Sequence, residues 1–326
     1  MAKMMSKLVL QKSLRVTGVR RCRHISHVTP DLVWISDVDN NLVLTNNVGD
    51  DLHHLTDIAS AQYGIHTVNK DKCLIYIDST GNILKLSTDN TTKSILIKYA
   101  EPWRPRCIYS SPSTGDLLVG MVNTDNQGEG KVVLYNSTGE QIHTIQHDNS
   151  GGRIYSEPKY ITENQNGDII VSDWLLNAVV VTEHGGRHRF SYTGPPEESH
   201  DLNKVGPSES KMWPLAICTD ELSHIIICDP FNTRIHLIDK NGHFLLFILT
   251  KERTNIGELF MKGGLKTEEV YIPQSLGYDE KTNLLWVGLA NSNMVEIYKY
   301  TAKEYRTEVA DSTDDTMHVS PSPQNC

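Results

Sequence analysis

Pro158-Lys159-Tyr160-Ile161-Thr162 is followed three residues later by Asn166-Gly167-Asp168-Ile169-Ile170-Val171-Ser172-Asp173. A proline opens the first apolar segment, where its fixed φ and missing N–H suit the first residue of a strand. Asn-Gly supplies the positive φ of a tight hairpin. The run Ile169 to Ser172 is continuous rather than alternating, which marks a short strand buried on both faces. Working outward, the same run recurs as Val33-Trp34-Ile35-Ser36-Asp37, Leu74-Ile75-Tyr76-Ile77-Asp78 and Leu117-Leu118-Val119-Gly120, then as Ile225-Ile226-Ile227-Cys228-Asp229 and Leu285-Trp286-Val287-Gly288. With the opening stretch these make six copies, and the first intervals, Asp37 to Asp78 and Asp78 to Gly120, are 41 and 42 residues. A four-stranded propeller blade repeats at about 40–50 residues.

Each unit continues with a third strand, such as Ala178-Val179-Val180-Val181 or Arg234-Ile235-His236-Leu237-Ile238, and often a glycine turn before a fourth. Four short strands per unit with no helical period between units predict an all-β, six-bladed β-propeller. The sixth unit lacks an outer strand after Tyr300, while an orphan strand-like segment, Leu8 to Val16, precedes the first. This segment is expected to complete the last blade and close the ring, removing the sheet edges. The expected organisation is a flexible N-terminus (1–6), the propeller (7–300) and a disordered acidic tail (301–326) rich in Asp, Ser and Pro.

The net charge of −9 argues against a DNA-gripping protein, which needs a basic surface. No apolar run approaches the roughly 18 residues of a membrane helix, and the N-terminus has no signal-peptide core. Six scattered cysteines without a C-x-x-C pair fit reduced thiols in a cytoplasmic protein better than disulfides or zinc. No nucleophile elbow or P-loop is present, and no cofactor is expected. His53-His54, His184 and His188 fall near outer hairpins, where packing or solvation explains them.

The later intervals grow to 53, 56 and 59 residues. The extra length falls mainly in connections from an outer strand to the next inner strand: His147 to Pro158, Thr193 to Pro214 and Lys251 to Pro273. Insertions concentrated on one face of a repeat scaffold mark its binding face. Trp103-Arg104-Pro105-Arg106, Lys159 and Trp213 open inner strands on that face, and Trp174 and Arg234 follow the Asp positions of units four and five. Arg104, Arg106, Lys159, Trp174, Trp213 and Arg234 are the candidate contact residues, since arginine and large aromatics dominate interface energies. Asp37, Asp78, Asp173 and Asp229 are expected to be structural, each fixing a turn through backbone N–H groups. No metal site is expected, because the inner-strand positions Ile25, Ile65, Ile108, Ile161, Ile217 and Leu276 are apolar, whereas calcium needs 6–8 oxygen ligands.

The Pro158–Asp173 unit resembles the NHL repeat. So does Trp213-Pro214-Leu215-Ala216-Ile217 with Asp229, Asn232-Thr233-Arg234-Ile235 and Asp239-Lys240-Asn241-Gly242. Unit two lacks the leading proline, and units three and six carry Gly120 and Gly288 where Asp is expected. Residues 7–300 look like the NHL (TolB-like) propeller of tripartite-motif proteins, without the RING, B-boxes and coiled coil of that family. The resemblance implies a non-catalytic recognition module of the kind that recruits targets for RING-type ubiquitin ligases, monomeric in the absence of the coiled coil. A protein partner is the leading expectation. Single-stranded RNA is the alternative, with Arg104, Arg106, Arg153 and Lys159 as phosphate contacts. Against RNA stand Asp37, Asp125, Glu129, Glu157, Asp173 and Asp229, expected on the same face, with Glu197, Glu198 and Asp201 in one of its loops. A metal-dependent propeller hydrolase ranks third.

Overall fold

A computed structural model describes residues 8–59, 63–196, 211–250 and 271–301. The expected flexible N-terminus, most of the acidic tail and parts of two long connections, including Glu197, Glu198 and Asp201, lie outside the described residues. The described chain forms six four-stranded antiparallel sheets, the blades, whose strands run a to d from the axis outward. Blade 1 comprises Cys22–Thr29, Leu32–Asp37, Leu42–Asn46 and Asp51–Leu55; blade 2, His66–Val68, Leu74–Ile77, Ile83–Leu86 and Lys93–Ile97. Blade 3 comprises Trp103–Ser110, Leu117–Asn123, Gly130–Tyr135 and Gln141–Ile145; blade 4, Pro158–Glu163, Ile169–Asp173, Ala178–Thr182 and His188–Tyr192. Blade 5 comprises Ile217–Thr219, Ile225–Asp229, Arg234–Ile238 and Phe244–Thr250. Blade 6 takes strands a to c from Pro273–Asp279, Leu284–Leu289 and Met294–Lys299, and its strand d from Val9–Arg15. The ring is therefore closed as expected, with Val9 opposite Lys299 and Arg15 opposite Met294.

The continuous apolar runs are the b strands. Ile169–Asp173 and Ile225–Asp229 are buried at every position, because each blade has a neighbour on both faces. The interblade layers are built this way: Val33 and Ile35 of blade 1 meet Trp286, Val295 and Ile297 of blade 6 and Leu14 of the closing strand. Outer strands face water on one side, and Ile95 and Ile142 are exposed there.

The register corrects one alignment. Pro158 lies opposite Asp173, Pro105 opposite Met121, and Pro273 opposite Leu289. Met121 and Leu289 thus occupy the Asp position, and Gly120 and Gly288 stand one place earlier. A Cβ on Gly120 would lie 2.4 Å from Cys107 Sγ and 2.8 Å from Pro158 Cβ; one on Gly288 would lie 2.1 Å from Ser275 Oγ and 2.7 Å from Cys22 Cβ. Close approach of the inner strands demands these glycines. They do not replace an aspartate.

In every blade the b–c turn is tied to the connection that delivers strand a. The bonds are Arg20 N–H to Asp37 Oδ2 (3.0 Å), Ser79 N–H to Asp57 O (2.8 Å) and Thr124 N–H to Pro102 O (2.8 Å). Blades 4 to 6 repeat the pattern with Trp174 N–H to Glu157 O (3.0 Å), Trp213 N–H to Asp229 Oδ1 (3.3 Å) and Ala290 N–H to Ile272 O (2.9 Å). The d–a connections and b–c turns therefore share one face.

Leu14, only 2% exposed, anchors the closing strand in the core between blades 6 and 1. Leu14→Ala is expected to cost about 3 kcal/mol, read as a lowered urea midpoint. Deleting residues 1–15 should abolish cooperative unfolding, because blade 6 would be left three-stranded with an open edge.

Candidate functional site

Where strand a begins, its pairing to strand b slips by one residue. Cys22 faces Asp37 and His24 faces Ser36, leaving Arg23 over; the same slip leaves over Arg106 in blade 3, Lys159 in blade 4 and Gln274 in blade 6. Blade 5 shows the same two-against-one arrangement at Leu215, with Leu215 N–H donating to Cys228 O and Cys228 N–H to Ala216 O, each 2.9 Å. A bulge re-aims its extra side chain and is a common device beside binding sites. Arg23, Arg106 and Lys159 thus hold equivalent bulged positions on blades 1, 3 and 4, at the axial end of the long-connection face.

Two of these groups, Arg23 and Lys159, meet around Tyr63. The Arg23 guanidinium lies 4.9 Å and the Lys159 ammonium 5.7 Å from the centre of the Tyr63 ring, although they come from opposite sides of the propeller. Lys159 Nζ also pairs with Glu157 Oε1 at 2.8 Å. Burial pushes the Arg106 pKa down, Glu157 opposes that shift, and the positive charge of Arg104 reinforces it. The Nε of Arg104 is buried with no hydrogen-bond acceptor among the described residues. Beneath the cations the channel is shut. The Tyr160 hydroxyl of blade 4 crosses the axis to donate to the Arg23 carbonyl of blade 1, and Gly64 N–H donates to Lys159 O at 3.1 Å. A side chain at 64 would be tight, since a Cβ would lie 3.0 Å from that carbonyl and 3.2 Å from both Cys107 and Tyr160.

A second cluster lies on the same face across blades 4 and 5. Trp174 and Phe231, in b–c turns, and Trp213, before an inner strand, make a triangle with ring-centre separations of 4.8, 5.9 and 5.6 Å. Leu175 (53% exposed), Leu176 (43%) and Phe231 (45%) present apolar surface beside it. Glu157 joins the two clusters: its carbonyl accepts the Trp174 N–H while its carboxylate holds Lys159.

Of the six candidate contact residues, Lys159 reaches the Tyr63 cluster, Arg106 holds the equivalent bulge in blade 3 with Arg104 close enough for its charge to be felt, and Trp174 and Trp213 fall in the aromatic cluster. Arg234 belongs to neither, because its guanidinium stacks 4.6 Å over Phe247 of the outer strand. Trp103 lies under Lys131 Nζ at 4.0 Å. Sequence reasoning missed Arg23, Tyr63, Leu175, Leu176 and Phe231. Arg23 could have been found by aligning the residues just inside each inner strand, where Arg106 and Lys159 already stood out.

The aspartates turn inward. Asp37, Asp173 and Asp229 are 3%, 0% and 1% exposed. Asp173 accepts N–H bonds from Ser156, Glu157 and Leu176, and burial still pushes its pKa up against their pull. Asp37 accepts from Arg20, Asp39 and Asn41. Asp229 accepts from Trp213 and Asn232. Asp78 caps its own turn through Thr80 and Asn82. Three of the acids expected to repel RNA on this face are therefore buried, because their oxygens satisfy backbone donors. Among the described residues no three His, Cys, Asp or Glu side chains gather at metal-ligating distance, and the five described cysteines are free thiols.

Inner strands alternate the expected isoleucines with polar rings that the sequence reading passed over. The His24 and His66 rings lie 4.3 Å apart, and His27 meets Trp286 edge-on at 5.4 Å. His24 Nδ1, His27 Nε2 and both ring nitrogens of His66 are buried without a hydrogen-bond partner among the described residues. Burial holds His24 down to about 3 and His27 to about 4, and His66 well below its ordinary range.

No family model and no curated protein matches the chain. Solved structures do. A putative gluconolactonase superposes with TM-score 0.60 at 14% identity, covering 90% of this chain and 94% of its own. Virginiamycin B lyase from Staphylococcus aureus gives 0.53 at 15%, covering 91% and 90%. A chain of a nidogen/laminin complex gives 0.50 at 14%, covering 70% and 80%.

In the fold the three histidines stay neutral, whereas the unfolded chain takes up their protons below about pH 6.5. Their contribution to stability is present above that pH and is lost as pH falls toward 4. Each group is expected to withdraw about 1.4 kcal/mol per pH unit in that window. Urea unfolding at pH 7, 6 and 5 measures this directly, and a flat profile would mean that the rings reach water. At this level of identity the likenesses establish a six-bladed propeller and leave the chemistry to the residues above.

Proposed function

We propose that this propeller is a recognition module that docks a protein partner on the face of its d–a connections and b–c turns. The observation that carries the reading is the patch of Trp174, Trp213 and Phe231 with exposed Leu175 and Leu176, contributed by two adjacent blades. Two partly buried tryptophans in contact with an exposed phenylalanine, beside two exposed leucines, have the make-up of an interface hot spot. The fold does not choose between binding and catalysis: two of the solved likenesses are named as a putative gluconolactonase and a lyase, and another is a chain in a nidogen/laminin complex. What favours binding is the identity of the axial side chains. Four of the bulged positions carry Arg23, Arg106, Lys159 and Gln274, and none of these is a carboxylate that would hold a cation.

The finer reading, a targeting domain of the tripartite-motif kind, is supported by the NHL-type motifs of units four and five. The partner-binding role does not depend on it.

The test uses three proteins: wild type, the double variant Leu175→Glu/Phe231→Glu, and a control, Ile142→Glu, on an outer strand where Ile142 is 55% exposed. All three should fold, since every altered side chain already faces water. Affinity capture with quantitative mass spectrometry is expected to recover a common partner with wild type and control, and at least tenfold less with the double variant. Equal recovery by all three would remove the patch as the docking site. A steeply salt-dependent mobility shift with pooled single-stranded RNA would favour the RNA alternative instead.

A further inference from the structure

We infer that a cleft between blades 2 and 3, on the face opposite the docking patch, binds a small aliphatic carboxylate through Lys85 and Lys70. The site does not depend on the docking role proposed above.

The repeat itself singles out Lys85. In each blade the residue three places before the Asp position of strand b pairs with one residue of strand c. Those partners are Leu44, Leu134, Val181, Leu237 and Ile297 in blades 1, 3, 4, 5 and 6. All five are buried, at 9% exposure or less. In blade 2 the partner, opposite Ile75, is Lys85. Lysine is rare in such a layer, because its ammonium loses hydration there unless another group replaces it. Lys85 is half-buried and makes no hydrogen bond or ion pair among the described residues. An apolar side chain would suit the layer better, which marks the amine as serving something other than packing.

The surroundings of Lys85 complete a site. Ile75 and Lys85 share a cleft of about 120 Å³ with Leu117 of blade 3, and Leu96 of the outer strand of blade 2 forms part of its wall. Lys70, in the a–b turn of blade 2, crosses to blade 3: a Cβ on Gly115 would sit 3.2 Å from both its Cε and its Nζ. The Lys70 ammonium also has no partner among the described residues. Asn69 Oδ1 accepts the N–H groups of Asp71 (3.1 Å) and Cys73 (2.9 Å), so its NH2 is the end left for a ligand. Ser137 adds a hydroxyl to the wall.

This lining selects the ligand. Two ammoniums against the one carboxylate of the wall, Asp71, leave a single positive charge to be met, which calls for a monoanion. The apolar surface of Ile75, Leu96 and Leu117 calls for a short hydrocarbon tail and disfavours inorganic phosphate. A cavity of about 150 Å³ holds benzene, so this one takes about five non-hydrogen atoms, the size of propionate. A slightly longer tail would reach toward water.

The test is saturation-transfer NMR and isothermal titration of the full chain with acetate, propionate, butyrate, butylamine and inorganic phosphate. Butyrate is expected to bind in the millimolar range and butylamine not to bind. Affinity should rise from acetate to butyrate, by up to about fourfold for each methylene buried. Lys85→Leu installs the residue that blades 1, 3 and 5 carry at this position. It should weaken butyrate binding at least tenfold while leaving the urea midpoint equal or higher, so that the loss is not one of folding. Lys70→Gln should weaken binding at least threefold, and Asp71→Asn should tighten it twofold or more. Lys98→Gln, at an exposed lysine outside the cleft, should leave it unchanged. Undiminished binding by Lys85→Leu would place the ligand elsewhere, and a lowered urea midpoint for that variant would make the lysine a packing residue; either overturns the site. So does the absence of carboxylate binding at tens of millimolar. Binding of phosphate but not butyrate, or equal affinity for the three carboxylates, overturns the assignment of an aliphatic ligand. None of these outcomes bears on the capture result for Leu175→Glu/Phe231→Glu, so the two proposals stand or fall separately.

Discussion

The pairing of Val9–Arg15 with Met294–Lys299 is the interaction on which the molecule depends. A single four-stranded blade has two apolar faces and cannot bury either alone. Each is stable only between two neighbours, and a row of six becomes self-sufficient only when the sixth meets the first. That contact joins residues almost 290 positions apart in sequence, so the loop that must close is nearly the whole described chain. Closure also holds the axial cations in place. Arg23 and Lys159 repel each other, and what keeps them around one tyrosine ring is the geometry of blades 1 and 4 in a complete ring.

Within that frame the blade carboxylates act on structure and on electrostatics at once. Asp37, Asp173 and Asp229 bond the turn after strand b to the chain arriving at strand a. Because their oxygens are turned onto backbone donors, little of their charge is presented to a ligand, so a protein with a large negative total shows a cationic centre on one face.

Much of this was legible from residues alone. The runs ending at Asp37, Asp173 and Asp229 gave the blades, and the orphan segment before the first unit gave the closing strand, because periodicity and burial pattern are properties of consecutive residues. The d–a connections and b–c turns, expected on one face, do share one face, which carries Trp174 and Trp213. The bulges were not legible. A bulge is a relation between two strands, and only the pairing of Cys22 with Asp37 and of His24 with Ser36 shows that Arg23 is the extra residue. The same blindness to register put Gly120 and Gly288 one place out. Phe231 and Tyr63 were passed over because neither is a position that the repeat pattern specifies, and they matter only for what other blades bring beside them. Arg234 looked equivalent to Trp174 by position and was claimed by Phe247 of the neighbouring outer strand.

Val9 starts the outermost strand of blade 6, as far from the axis as the blade extends, and pairs with Lys299 at the end of the strand just inside it. A short peptide bridging them would make the backbone circular without disturbing a blade, and new ends could then be cut into any exposed turn, such as that at Gly185, where a glycine has nothing around it. The same placement means that a fluorophore, tether or further domain joined at either of these strand ends sits out on the perimeter. The cationic mouth and its aromatic neighbours are left clear to meet a surface head-on.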